Sequence, residues 1–516
     1  LTALRWSICG SALAERLGRW AAPVLLLLGA SFAQFHQLTS DLRFLPDEAF
    51  FMTFARGAAV NGDWLLPGSL DKPPLAIYFS AWSMVAFAIR ADAEGVLQLD
   101  AHIGEFAGRL PNVYLAILFT ALMMRLARRM VSCRWEALLA GLLAAFSPYL
   151  RAYGASAYTD MSLLFWSAAA LYLALKDRWA LAGAALGLAF WSKQQTAFVV
   201  PLIVMILAAR GAWRRDWLTL GLTLAGFGAA LLIWDNARPE ASIFLQAAVN
   251  NAPTSWLVNP FSWLERFADW LGIGLWLLGP PLLTGVMLAG AAFGSMKSRG
   301  ERTGRRPSLE MERVLLLYII GFLGAHVALQ FNLYDRYLLL ILPPLIMLAA
   351  GTVARASPSR GLRLGLAALL IAGGLWSLNG NSIIGSNWGA SAGIDRLADH
   401  LNAKPVAAVI YDPWLGWELG YYLGQWHDKR RVHYPTAEAL AAGALALDEI
   451  GERYFVAQVD KPHDAWLAAL RAAGFGIAVD YARDRFIVYR LTPPQSPPND
   501  WGTIGLPLRY TVDKGS

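Results

Sequence analysis

The sequence predicts a polytopic α-helical membrane protein with a small α/β domain at its C-terminal end. Three observations lead there. Of 516 residues, 56% are hydrophobic and 16% charged, whereas soluble domains carry about a quarter charged residues. Apolar runs of roughly 20 residues recur, the length that crosses a bilayer core. After residue 390 those runs stop, and short strand-like and helix-like stretches alternate instead.

The apolar spans fall at 20–40, 110–127, 135–150, 158–175, 179–192, 194–209, 216–234, 269–293, 314–331, 337–354 and 364–383, about 11 transmembrane helices. The first contains "LLLLGASFAQ", which also suits an apolar core followed by a small-residue cleavage site. The apolar stretch continues past that cut, so the expectation is a retained signal anchor. Loop charge sets the orientation. Arg125, Arg128, Arg129 and Arg134 share one loop, Lys176 and Arg178 another, and Arg210, Arg214 and Arg215 a third; 294–313 and Arg355, Arg360 and Arg363 complete the set. These are alternate loops, cytoplasmic by the positive-inside rule together with the N-terminus. Segments 41–109, 151–157, 235–268 and 332–336 and the C-terminal tail then face outward; the Ala/Leu/Arg-rich composition suits a bacterium, which would make the membrane an inner membrane and the outward side the periplasm. The net charge of +7 belongs to the cytoplasmic loops and points to membrane lipids, not to nucleic acid. Cys9 and Cys133 fall near cytoplasmic ends, so neither a disulfide nor a cysteine metal site is expected.

The chain divides into a membrane domain, 1–389, and an outer domain with tail, 390–516. In the second, 406–412, 430–435, 453–460 and 485–491 have strand character and 414–424, 436–451 and 463–474 helix character. No glycine-rich phosphate loop follows any of these strands, which suits a non-catalytic cap. "TPPQSPPND" (492–500) has the composition of an extended linker.

The first outer loop, 41–109, holds the unusual chemistry. In "FLPDEAFF" two carboxylates, Asp47 and Glu48, stand among phenylalanines. The following stretch suits an amphipathic surface helix. "GDWLLPG" turns the chain, and Pro73 and Pro74 start a second helix. A helix over 48–60 is about 18 Å long at ~1.5 Å per residue, so the return stretch brings Lys72 back toward Asp47. Further ionisable groups sit at outer ends of spans: Arg109 in "GRLPNVY", Asp160 in "AYTDMSLLFW", Lys193 in "FWSKQQTAF" and Arg336 in "NLYDRYLLLILPP". Each has a plainer reading: a helix cap for Asp47 and Asp160, a snorkelling cation for Lys72, a hairpin tip for Lys193 and interface anchors for Arg109 and Arg336. Their occurrence on one side is what favours a site, since ionisable groups there face a cavity or each other. Cations from Lys72, Arg109, Lys193 and Arg336 suit a lipid-held phosphate, with Asp47 taking a proton from an attacking hydroxyl.

"LPDEAFFMTFARGAAVNGDWLLPGSLDKPPLAIYF" resembles the first outer loop of GT-C fold, lipid-phosphate-sugar-dependent glycosyltransferases, above all the protein O-mannosyltransferases and the aminoarabinose transferases of lipid A. "GRLPNV", "SAYTDMSLLFW", "GLAFWSKQQTAFVVP" and "DRYLLLILPPL" resemble further blocks in the same order, so the resemblance covers about 20–355. It implies a polyprenyl-phosphate sugar donor, an inverting transfer, Asp47 as base and Glu48 as the acid beside it. It implies Lys72 as the lysine that approaches the donor phosphate and Asp160 as an acid at the outer end of a helix; Arg336 and Tyr337 complete the substrate-binding set. The lipid A enzymes also have an acid before that lysine that takes part in metal binding. Asp71 holds that place, but the outer loops offer no histidine partner, so no metal is expected. Nor is another cofactor.

The resulting expectation is a membrane glycosyltransferase with an extracytoplasmic acceptor: lipid A or another envelope glycolipid or glycan, or alternatively protein Ser/Thr. Two other classes compete. A secondary transporter would show internal repeats and broken midplane helices, and no clear repeat is visible. A membrane-anchored binding protein would act through 390–516, where no ligand motif stands out.

Overall fold

The computed structural model describes residues 2–130, 134–251, 255–287, 307–356, 359–378, 382–385, 388–424, 426–447 and 451–494. Cys133, the Cys9 side chain, the 294–306 part of the basic loop and the 495–500 part of the tail lie outside them. The chain packs as two compact units, Leu1–Ala392 with Trp417–Gln425, and Gly393–Gly416 with Trp426–Ser516. The boundary lies close to the expected 390, but residues 417–425 belong with the first unit.

The first unit is helical. It begins with α1 (Thr2–Leu38), α2 (Pro46–Asn61), α3 (Leu75–Phe87), α4 (Ala101–Met130), α5 (Arg134–Ala145), α6 (Pro148–Gly154), α7 (Asp160–Ala174) and α8 (Trp179–Ser192). A short antiparallel hairpin, β1 (Ile89–Ala91) and β2 (Leu97–Leu99), joins α3 to α4. Long helices at Arg214–Asn236, Pro307–Ala328 and Arg360–Leu378 follow among others. Five described helices are long and apolar enough to cross a membrane: Trp20–Leu38, Ala101–Met130, Arg214–Asn236, Glu310–Ala328 and Asp335–Arg355. Several other expected spans are shorter apolar helices, including α7 and α8. The expected span 135–150 is broken in two, because Ser147 caps the helix that Pro148 opens. Phe119, Leu143, Leu164, Leu186, Ile203 and Leu342 are fully buried between these helices.

The 41–109 segment, expected to face outward, folds with two helices and a turn between them. Pro46 opens α2 and Gly62, in the left-handed region at φ 77°, closes it. Close approach limits side-chain size at the start of α4. A Cβ on Gly104 would run into the Tyr421 hydroxyl, and one on Gly108 would lie 2.7 Å from the Met52 sulfur.

The second unit holds a five-stranded mixed sheet. Its strands are β3 (Val409–Tyr411), β4 (Arg430–Val432), β5 (Arg453–Gln458), β6 (Gly476–Arg483) and β7 (Phe486–Thr492), in the order β4-β3-β5-β7-β6. β3 pairs parallel with β4 and β5; β7 pairs antiparallel with β5 and β6. Arg483 pairs with Phe486 across a two-residue turn, and Asp484 in that turn takes φ 56°, the conformation such hairpins require. Val409, Leu440, Phe455, Leu470 and Leu491 form the core. Strand β6 and helix Ile394–Asn402 were not among the expected elements.

Candidate active site

Asp47 and Glu48 are neighbours in the first turn of α2, and successive helical residues point about 100° apart. They therefore face different surroundings. Glu48 is fully buried. Its Oε1 accepts from Ala157 N (2.7 Å) and Arg109 Nε (3.0 Å), and its Oε2 from Arg109 Nη2 (2.8 Å) and Leu45 N (2.9 Å). Arg109 also donates to Leu42 O (2.7 Å) and Arg43 O (3.1 Å). These two side chains were expected to face substrate; instead they tie the loop before α2 to α4 and to the segment before α7.

Asp47 faces the other way, with 30% of its side chain exposed, and its Oδ2 lies 2.7 Å from Arg336 Nη1. Arg336 opens the 3-10 turn Asp335–Ile341 together with Asp335. Its guanidinium lies 5.1 Å from the Tyr158 ring and 5.0 Å from that of Tyr334, a cation–π arrangement that fixes the charge without cancelling it. Asp335 anchors the turn. It accepts from the Tyr153 hydroxyl, from Gly385 N (3.0 Å) and from Arg336 N (2.7 Å).

The other expected groups cluster nearby. Lys193 caps α8 in extended backbone and pairs with Asp160 at the start of α7, Nζ to Oδ1 2.6 Å, both buried. The Tyr337 ring lies 5.8 Å from Lys193 Nζ. Lys72 pairs with its neighbour Asp71 at 2.6 Å, and Gln194 donates to Asp71 O at 2.8 Å. The Lys193 ammonium is within electrostatic reach of Arg336 and Lys72, and Arg336 within that of Asp160 and Asp47. The structure thus brings Asp47, Lys72, Asp160, Lys193, Arg336 and Tyr337 together, and sets Glu48 and Arg109 behind them. Three carboxylates (Asp47, Asp71, Asp160) and three cations (Lys72, Lys193, Arg336) balance there. Asp71 Oδ1, Asp160 Oδ2, Thr159 Oγ1 and Arg336 Nε are buried with no hydrogen-bond partner among the described residues. Such atoms are costly unless a ligand or water satisfies them.

Asp71 Oδ2 is paired with the Lys72 ammonium while its Oδ1 has no partner, and no group of three His, Cys, Asp or Glu suited to a metal occurs among the described residues.

A clasp on the far side of the loop was not foreseen. The Tyr422 hydroxyl donates to Glu105 and accepts from Phe44 N at 2.7 Å. Burial and the nearby Glu105 carboxylate push the Tyr422 phenol well up, so it stays protonated and keeps donating. Arg56 donates to Tyr421 O and to Gly420 O (2.9 Å), and the Tyr421 ring stands edge-on to Phe44 at 4.9 Å. Tyr153, Tyr158 and Asp335 were missed as well. For Asp335 the signal was its place beside Arg336 in "YDRY".

A family model described as dolichyl-phosphate-mannose-protein mannosyltransferase matches residues 71–234, a stretch that holds Lys72, Asp160 and Lys193 but neither Asp47 nor Arg336. An undecaprenyl phosphate-alpha-4-amino-4-deoxy-L-arabinose arabinosyl transferase of Proteus mirabilis is 26% identical over 63% of this chain and 58% of its own length. A counterpart of the same name from Erwinia tasmaniensis is 26% identical over 54% of this chain and 51% of its own. The match thus spans little more than half of these relatives. Among solved structures, ArnT from Cupriavidus metallidurans bound to undecaprenyl phosphate superposes with a TM-score of 0.58 at 18% identity, covering 91% of this chain and 98% of that one. The Archaeoglobus fulgidus oligosaccharyltransferase, in complex with Zn and sulfate, gives 0.55 at 13% identity over 90% and 72%. The chain has the GT-C membrane fold of these proteins and is similar to the protein O-mannosyltransferases and the aminoarabinose transferases.

Proposed function

We propose that this chain is an integral membrane glycosyltransferase that moves a sugar from a polyprenyl-phosphate donor to a hydroxyl acceptor on the outer face of a bacterial inner membrane. Lys72, Lys193 and Arg336 hold the donor phosphate, with Tyr337 against Lys193. Asp47 orients the acceptor hydroxyl and takes its proton. The acceptor oxygen bonds to the anomeric carbon as the bond from that carbon to the phosphate oxygen breaks. The phosphate leaves with the electron pair, and attack from the opposite face inverts the centre. Fixed cations stabilise the charge gained by the leaving group, so no redox cofactor and no nucleotide takes part. In the resting site Arg336 is engaged by Asp47. An arriving phosphate competes for the guanidinium and releases the carboxylate for the acceptor. Glu48 and Arg109 act by fixing the loop, not by touching substrate.

The observation that carries this reading is the part-exposed Asp47 carboxylate 2.7 Å from a cation, beside buried polar atoms without partners. The named substrate of the aminoarabinose relatives favours an undecaprenyl-phosphate-linked sugar as donor; for the acceptor, an envelope glycolipid or glycan such as lipid A is our reading, with a protein hydroxyl the alternative. The test is transfer from a short-chain polyprenyl-phosphate sugar to lipid A or to a Ser/Thr peptide by the purified chain. Release of polyprenyl phosphate with neither acceptor labelled would contradict the assignment.

A further inference from the structure

We propose that a cleft between α1, α4 and α5 binds an anionic glycerophospholipid at the end of the membrane unit remote from the candidate active site. The cleft has a volume of about 800 Å³, within the range of built ligand sites of roughly 300–1,000 Å³. Val24 and Leu27 of α1 form one apolar wall, and Leu122 of α4 with Leu138 of α5 the other. Arg125 and Arg128 of α4 and Arg134 of α5 line it as well, and none of its described lining residues is acidic. Trp20, 60% exposed, also lines it, and tryptophan favours the depth of lipid headgroups.

An excess of arginine at the end of a span is ordinary, and alone it would signify orientation only. The pairing of charges separates this cleft from its neighbour. The adjacent cavity of about 600 Å³ holds Arg129 and Arg210 together with Asp177, Asp216 and Glu310, and Arg210 is bonded to Asp177. By contrast, Arg125 and Arg128 have no ion-pair partner among the described residues, and they stand three apart, on one helical face. A single-signed rim above an apolar groove that opens between transmembrane helices matches a ligand with an anionic head and an acyl chain. The phosphate donor is a poor fit. Arg109 and Arg125 are 16 residues apart on one continuous helix, about 24 Å at ~1.5 Å per residue. A phosphate held by Lys72 and Arg336 therefore leaves these arginines to another lipid.

The experiment uses the full chain in nanodiscs of mixed phosphatidylglycerol and phosphatidylcholine, followed by mild delipidation and native mass spectrometry. The wild type should retain phosphatidylglycerol in preference to phosphatidylcholine. Arg125→Ala/Arg128→Ala should reduce retention roughly tenfold or more, the loss of one or two charge-assisted contacts. Ala121→Trp, which keeps the arginines and fills the cleft, should reduce it equally; Leu138→Trp fills it from α5 if the first variant fails to fold. Equal retention of both lipids would overturn the proposal, as would unchanged retention in the double variant. Loss in the arginine variant with full retention in both tryptophan variants would reduce the site to surface charge. Displacement of the retained lipid by a short-chain polyprenyl phosphate at equal concentration would return the cleft to the donor.

Discussion

Asp47 and Arg336, drawn from the start of α2 and from the 3-10 turn Asp335–Ile341, meet at 2.7 Å, while Glu48 beside Asp47 turns inward to Arg109. One dipeptide thus supplies two unlike carboxylates, and the difference can be measured. Asp47→Asn should lower turnover by about 10²- to 10⁴-fold, as for a general base, with the unfolding temperature unchanged. Glu48→Gln leaves the Arg109 charge buried without its counterion, a loss of about 3–5 kcal/mol, and should show first in yield and thermal unfolding. Normal turnover in Asp47→Asn, or a normal unfolding temperature in Glu48→Gln, would reverse the division of roles.

Donor affinity should depend on Lys72 and Arg336 and little on Arg109 as a contact. A well-formed charge-assisted contact contributes about 1.5–3 kcal/mol, so Lys72→Ala and Arg336→Ala should each weaken donor binding roughly tenfold or more. Titration of purified variants with a short-chain polyprenyl-phosphate sugar decides it. Wild-type affinity in both would remove the phosphate from this cluster.

Tyr422→Phe tests the clasp. The substitution keeps the ring and removes the hydroxyl that serves Glu105 and Phe44 N. Leaving buried polar groups unpaired costs about 1–3 kcal/mol. The expected result is faster hydrogen exchange over 41–48 with a reduced kcat and an unchanged donor affinity. Wild-type exchange in that segment would show that the clasp does not hold the loop.

The orientation is open to labelling. Single cysteines at Asn61 and Val479 should react with a membrane-impermeant thiol reagent added to spheroplasts, and one at Thr303 should not. Reaction at 303 alone would place Asp47 on the cytoplasmic side and make a soluble nucleotide sugar the better donor.

Much of this was legible in the sequence, for identifiable reasons. Lys72, Asp160, Lys193 and Arg336 stand out because they gather on one side of the spans, opposite the arginine-rich loops that set the orientation. Which cation serves a ligand was not legible. Arg109 looks like Arg336 in one dimension, and only the fold shows that its donors end on Glu48, Leu42 and Arg43. The Tyr422 clasp joins residues more than 300 positions apart, beyond any local pattern. Helix Ile394–Asn402 was readable, since Ile394, Leu397, Ala398 and Leu401 recur at helical spacing and are all buried. Strands β1 and β2, three residues each, are too short to carry a periodic signal.

The balance of three carboxylates against three cations has a kinetic consequence under the proposed chemistry. The donor is a phosphodiester with one negative charge; the carrier it leaves behind is a monoester with about −1.5 to −2 at neutral pH. Lys72, Lys193 and Arg336 therefore grip the spent carrier harder than the fresh one. Departure of that carrier, aided by Asp47 reclaiming Arg336, is then the slow event of the cycle, and added polyprenyl phosphate acts as a competitive brake.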